Sequence, residues 1–258
     1  MAIAPETLAA CQAFARASWK AAGRAGSAAV GVRAKLSLDL ELEVASSGVL
    51  VVAGVDEAGR GAWAGPLAVG VAVVRAKRLL GGLGAPDGLG DSKALSESRR
   101  EEIFPLVASW CDAWAVGYAE APECDQLGMT RASSLAAWRA LASLPPSLRP
   151  DVVLLDGGLD YVTPRTDGEE RDRGLVPCHA CGPGRPLVRN VVKGDSSCAS
   201  IAAASVLAKV SRDRLMRAYA RSYPDMGFEK HKGYPTSTHR EAVALTGMTP
   251  LHRRSWSW

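Results

Sequence analysis

The sequence predicts an α/β fold: a mixed five-stranded sheet flanked by helices, with a C-terminal helical region. Residues 49–55 (VLVVAGV) and 67–74 (LAVGVAVV) are short, β-branched apolar runs bounded by glycines, the pattern of buried strands. They are tightly joined. Downstream, helical and strand-like segments alternate, which predicts a layered structure with a mixed sheet.

Residues 1–47 read as an N-terminal extension, partly helical, and residues 48–258 as the main domain. In the extension, Pro5 and Glu6 suit a helix start, and Leu8, Cys11, Ala15 and Trp19 recur at helical spacing. Gly23, Gly26 and Gly31 break that pattern before 36–44, where apolar residues alternate with acidic or polar ones. Residues 81–90, rich in Gly and Pro, form a loop. Ser96 is an N-cap for a helix reaching Trp110, with Pro105 as a kink. Residues 114–119 are a third strand, and 130–144 a helix stopped by Pro145. Residues 151–156 (DVVLLD) are a fourth strand ending at Gly157, and 163–186 a surface insertion of charges, glycines and prolines. Residues 188–192 make a fifth strand, and 196–220 the longest helix.

With 31 Lys+Arg against 27 Asp+Glu, the net charge of +4 permits nucleic-acid binding without a strongly basic footprint. An apolar content of 47% is enough for a core and excludes disorder throughout. No apolar run approaches the roughly 18–20 residues that span a bilayer. A soluble, cytoplasmic protein follows. The alternative is an organelle, because the N-terminus is rich in Ala, Ser, Arg and Lys, as transit peptides are. It has no secretory-signal pattern, and the six cysteines lie scattered in a chain too large to need disulfide staples.

The acids fall where chemistry is expected. Asp56 and Glu57 follow an apolar strand, Asp156 ends another, and Asp195 follows a third. Any one of them could cap a helix or receive a turn amide. Together, at the exits of buried strands, they form hard oxygen ligands suited to Mg²⁺ or Mn²⁺ rather than Zn²⁺. Residues 54–61 (GVDEAGRG) form a glycine-rich turn that allows close backbone approach and positive φ, but they lack dinucleotide-fold and P-loop spacings. Arg60 is placed to meet a phosphate, or to leave its neighbouring amides and carbonyls facing a sugar hydroxyl. Cys178 and Cys181 form a lone CxxC, which reads as two loop thiols because a closed zinc site needs four ligands. His231, His239 and His252 read as supports of local turns. Lys209 and Arg212 read equally as a solvated face or as contacts to a nucleic-acid backbone, and Trp63 as a candidate groove residue.

The ordered motifs resemble type 2 ribonuclease H, and within it the bacterial ribonuclease HII subgroup. They are DEAGRG at 56–61, AGP at 64–66, DSK at 91–93, LDG at 155–157 and KGD at 193–195, then IAAASVLAKVSRD at 201–213, HKGYPT at 231–236 and HRRSW at 252–256. The resemblance implies a ribonuclease H-like fold and endonucleolytic cleavage of RNA in RNA–DNA hybrids. It also implies cutting at single ribonucleotides in duplex DNA, as in ribonucleotide excision repair, leaving a 5′-phosphate and a 3′-hydroxyl. It assigns Asp56, Glu57, Asp156 and Asp195 to catalysis with two Mg²⁺ or Mn²⁺ ions. Gly59, Arg60 and Gly61 would recognise the 2′-hydroxyl, Tyr234 would pack on the sugar across the junction, and Lys93 would contact phosphate. The enzyme is expected to be a monomer with no membrane partner. The competing readings are a non-catalytic nucleic-acid-binding relative and an integrase-like strand-transfer enzyme. The intact set of acids argues against the first, and GRG with HKGY against the second.

Overall fold

The computed structural model describes residues 36–90, 95–163 and 185–256. Five strands, β1 (Val51–Ala58), β2 (Leu67–Arg75), β3 (Ala113–Ala119), β4 (Val152–Asp156) and β5 (Leu187–Val191), form one sheet ordered β3-β2-β1-β4-β5. β2 is antiparallel to both β1 and β3, whereas β4 runs parallel to both β1 and β5. The mixed sheet expected from the sequence is present. A short link permits the antiparallel β1–β2 pair, while parallel β1 and β4 need a long crossover.

The described helices are α1 (Asp39–Ser46), α2 (Ala76–Leu80), α3 (Glu97–Trp110), α4 (Ala121–Ala142), α5 (Gly194–Ser197), α6 (Ala199–Ser222), α7 (Phe228–His231) and α8 (Ser237–Thr246). Ser96 caps α3 as expected, its hydroxyl accepting from the Arg99 amide at 3.2 Å. Helix α4 begins earlier than residue 130, at a capping box between Glu120 and Glu123, and Gly128 (φ 73°) kinks it.

Side chains alternate across the sheet. Val52, Val152 and Leu154 face a core shared with Ile201 and Ala204 of α6. Ala53, Val55, Val153 and Leu155 face a second core shared with Ala132 and Ala136 of α4. Helix α6 lies so close to β1 that a Cβ at Gly54 would sit 2.1 Å from the Ser200 carbonyl carbon. Only glycine fits there.

The alternation over 36–44 does not produce a strand. Its residues enter α1, which places Val44 and Ala45 in the α6-side core. Glu41 is fully buried, and its Oε1 accepts from the Ser200 amide at 2.6 Å, near the start of α6. Residues 36–46 thus share the core of the main domain. Residues 1–35 and most of the 163–186 insertion, with Cys178 and Cys181, lie outside the described residues.

Candidate active site at the carboxyl ends of β1 and β4

Asp56, near the carboxyl end of β1, and Asp156, the last residue of the parallel neighbour β4, each lie one residue beyond the Val55–Leu155 pair and so sit side by side. Asp195 arrives on α5, directly after β5. The amides of Gly194 and Asp195 donate to Asp156 Oδ1 at 2.7 and 3.3 Å, which ties that turn to β4. Carboxylate oxygens of Asp56, Asp156 and Asp195 all lie within 4.8 Å of one another. Asp56 and Asp195 are buried, and Asp56 Oδ2 has no hydrogen-bond partner among the described residues. Burial pushes the Asp56 carboxyl up to about 7; the Ser205 hydroxyl on α6 pulls it back in part, and the charges of Glu57 and Asp156 raise it further. Close hard-oxygen donors and an unsatisfied buried oxygen fit a divalent cation, which would repay the cost of burying the charge.

Glu57 lies outside that group of three. Strand alternation sends it to the α4 side of the sheet, while Asp56 faces α6. There its Oε2 accepts from the Tyr161 hydroxyl at 2.9 Å, and its Oε1 lies 3.5 Å from Arg60 Nη1. Burial, then the charges of Glu57 and Asp56, push the Tyr161 hydroxyl well above the usual phenol range. Sequence reasoning missed Tyr161, which stands 104 positions from its partner.

The glycine-rich turn is held by two fully buried arginines. Arg253 donates to the main-chain oxygens of Gly59 (2.7 Å), Arg60 (2.9 Å) and Gly65 (3.1 Å). Arg212 donates to those of Pro66 (2.8 Å), Ala64 (3.0 Å) and Lys232 (2.9 Å), and so joins this turn to the HKGYPT segment. Neither expectation for Arg212, a solvated face or a nucleic-acid contact, survives its burial. Gly59 has φ 84°, and a Cβ there would lie 2.0 Å from Arg212 Nε. Gly61 needs no such freedom, since a Cβ there would meet nothing within 4 Å. The Arg60 side chain is 42% exposed and paired with Glu57. Trp63 is 5% exposed and belongs to the interior rather than to a groove.

Tyr234 is half-buried, with Lys209 Nζ and the Arg212 guanidinium each 5.3 Å from its ring centre. Lys209 also pairs with Asp213 at 2.6 Å. The segment reaches the glycine-rich turn through Trp63 and Ala64 amides donating to the Gly233 oxygen at 2.8 and 3.2 Å. His231, His239 and His252 support it from within, as the sequence suggested. The Thr249 and Gly233 amides donate to Nδ1 of His252 and His231 at 2.8 and 3.1 Å. His252 Nε2 must then carry the proton that meets His239 Nε2 at 3.1 Å, which leaves His239 Nδ1 to donate to the Tyr234 oxygen at 3.0 Å. Lys93 lies outside the described residues.

A mixed sheet carrying aspartates at the ends of its central parallel strands defines a ribonuclease H-like, metal-dependent nuclease. The ribonuclease HII family model matches residues 53–258. The chain is 43% identical over 215 residues to the ribonuclease HII of Streptomyces avermitilis, covering 83% of this chain and 80% of that protein. It is 44% identical over 221 residues to that of Paracoccus denitrificans, covering 85% and 91%. The crystal structure of the ribonuclease H2 from Pyrococcus horikoshii superposes with a TM-score of 0.60 at 30% identity, covering 80% of this chain and 94% of that one. The chain belongs to the ribonuclease HII family. It is a metal-dependent endoribonuclease with ribonuclease H activity on RNA–DNA hybrids. No helix among the described residues is long and apolar enough to cross a membrane.

Proposed function

We propose that the enzyme also cuts at a single ribonucleotide embedded in duplex DNA, leaving a 5′-phosphate and a 3′-hydroxyl. The observation that carries the site is the convergence of Asp56, Asp156 and Asp195 within 4.8 Å, with an unpartnered buried oxygen, beside the clamped glycine-rich turn. Asp56, Glu57, Asp156 and Asp195 would hold two divalent ions. Bound ions of this kind supply charge neutralisation on the phosphate, an activated water and a stabilised leaving oxygen. The ion is Mg²⁺ or Mn²⁺ by donor chemistry.

The protein's part is positioning. Arg253 and Arg212 bind carbonyls of the 59–66 main chain and hold it rigid, so Gly59, Arg60 and Gly61 present a fixed main-chain surface to a 2′-hydroxyl, a group that both donates and accepts. Tyr234, tied to the same turn, would pack on the neighbouring sugar. Lys93 is assigned to a phosphate. The test is cleavage of a DNA duplex carrying one ribonucleotide, beside a continuous hybrid, with products mapped in Mg²⁺ and in Mn²⁺. A cut beside the ribonucleotide with a 3′-hydroxyl product is expected. Cleavage of the hybrid alone would overturn the embedded-ribonucleotide activity.

A further inference from the structure

Tyr161 has no part in the scheme above, yet its hydroxyl donates directly to Glu57, one of the four acids, at 2.9 Å. We propose that Tyr161 is a positioning residue for Glu57, fixing the carboxylate that must serve the metal site from the opposite side of the sheet. The inference rests on Glu57 being a metal-binding carboxylate.

The argument starts from strand geometry. Successive residues of β1 point to opposite faces, so Asp56 joins Asp156 and Asp195 while Glu57 does not. A flexible glutamate displaced in this way needs a fixed partner to hold one rotamer. The Tyr161 hydroxyl supplies it at 2.9 Å, from a side chain only 3% exposed, where water does not compete. Arg60, on the other carboxylate oxygen at 3.5 Å, is 42% exposed and therefore a weak, screened restraint.

The tyrosine is itself held independently of Glu57. Asp160 Oδ1 accepts from the Val162 and Thr163 amides, each at 2.9 Å, and Trp138 Nε1 of α4 donates to the Val162 oxygen at 3.0 Å. The hydroxyl is thus delivered by α4 and by the turn after β4, the strand that carries Asp156. Donors that orient a metal-binding carboxylate typically matter about 10–100-fold in metal affinity or activity.

The test uses the full chain as wild type, Tyr161→Phe, Glu57→Gln and the double variant. Mn²⁺ is titrated with two readouts: the metal concentration giving half of the rise in Tm without substrate, and that giving half-maximal cleavage of a hybrid. Tyr161→Phe is expected to raise both midpoints about tenfold while nearly regaining the wild-type rate at saturating Mn²⁺. Glu57→Gln raises them at least as much, and the double variant adds nothing, because both changes act through one contact. A merely structural tyrosine would lower the metal-free Tm and leave the midpoints alone. Wild-type midpoints in Tyr161→Phe, or additive shifts in the double variant, overturn the positioning role. Wild-type midpoints in Glu57→Gln overturn the assignment of Glu57 itself. Should Tyr161→Phe not fold, the wild type still decides. Mn²⁺ must then give a tyrosine ultraviolet difference spectrum that Glu57→Gln abolishes, and no such spectrum overturns the inference.

Discussion

Arg253 Nη2 donates to the main-chain oxygen of Gly59 at 2.7 Å, joining a position 194 residues away to the turn that follows Asp56 and Glu57. Burial brings this guanidinium down to about 10, so it stays charged at neutral pH and fixes the carbonyls of the turn. Arg253→Lys keeps a charge but loses the planar fork that reaches three carbonyls. It should lower stability by about 1.5–3 kcal/mol, the scale of charge-assisted hydrogen bonds, read as Tm and denaturation midpoint. An unchanged Tm would mean that Arg212 alone holds the turn.

Gly59 and Gly61 should separate cleanly. Gly59→Ala forces a Cβ onto Arg212 Nε at φ 84°, so it should destabilise the fold by about 2 kcal/mol or more. Gly61→Ala has open space around it and should fold as wild type. Any activity it loses then reports crowding of the bound nucleic acid, not strain in the chain. The check is Tm beside kcat/KM for both variants; a destabilised Gly61→Ala contradicts this division.

Asp56→Asn should cut hybrid cleavage to far below a tenth of wild type while leaving the enzyme folded. Its effect on metal-free stability has a definite sign. The folded carboxyl is raised to about 7, so the stability it contributes in the protonated form is lost as pH rises through that value. Asn carries no charge, so metal-free Asp56→Asn should match or exceed the wild-type Tm at pH 8, with the gap closing toward pH 4. A variant much less stable at pH 8 would show that the charged carboxylate supports the fold.

The histidines give the opposite slope. Burial lowers His231, His239 and His252, with His239 brought down to about 4, and their hydrogen bonds need the neutral rings. Unfolded histidines take up protons near pH 6.5, so the stability they contribute is present above that value and lost as pH falls toward 4. His239→Gln, which cannot take up that proton, should lose less Tm between pH 7 and 4.5 than wild type does. Equal losses would place the acid sensitivity elsewhere.

The strands and the three aspartates were legible because local signals report them. Apolar runs mark β1, β2 and β4, and an acid closing such a run has few cheap alternatives. What escaped is long-range. Arg212 sits in a helix whose pattern does not reveal that its guanidinium reaches three carbonyls of two loops. The Tyr161–Glu57 contact has no periodic signature. The start of α4 carries Pro122 and Gly128, residues of poor helix propensity, although one lies in the first turn and the other at a kink. At 36–44 the alternation gave no helical stripe because Glu41, a charged residue, faces inward to bind the Ser200 amide.

The role proposed for Tyr234, packing on the sugar beyond the ribonucleotide, makes a prediction about substrate preference. Lys209 Nζ and the Arg212 guanidinium each lie 5.3 Å from the Tyr234 ring centre, His239 bonds its main-chain oxygen, and the residue is half-buried. If the exposed part packs on a deoxyribose, Tyr234→Ala should lose more kcat/KM on a duplex with one embedded ribonucleotide than on a continuous hybrid. In the hybrid the next sugar carries a hydroxyl where the ring must sit, so less favourable contact is lost. Base–aromatic stacking is worth about 1–3 kcal/mol, the upper scale for a ring on a sugar, and a tenfold change in the ratio of the two kcat/KM values corresponds to about 1.4 kcal/mol. Tyr234→Phe, which keeps the ring, should hold the wild-type ratio. Equal losses on both substrates for Tyr234→Ala would reduce the ring to a support for its loop.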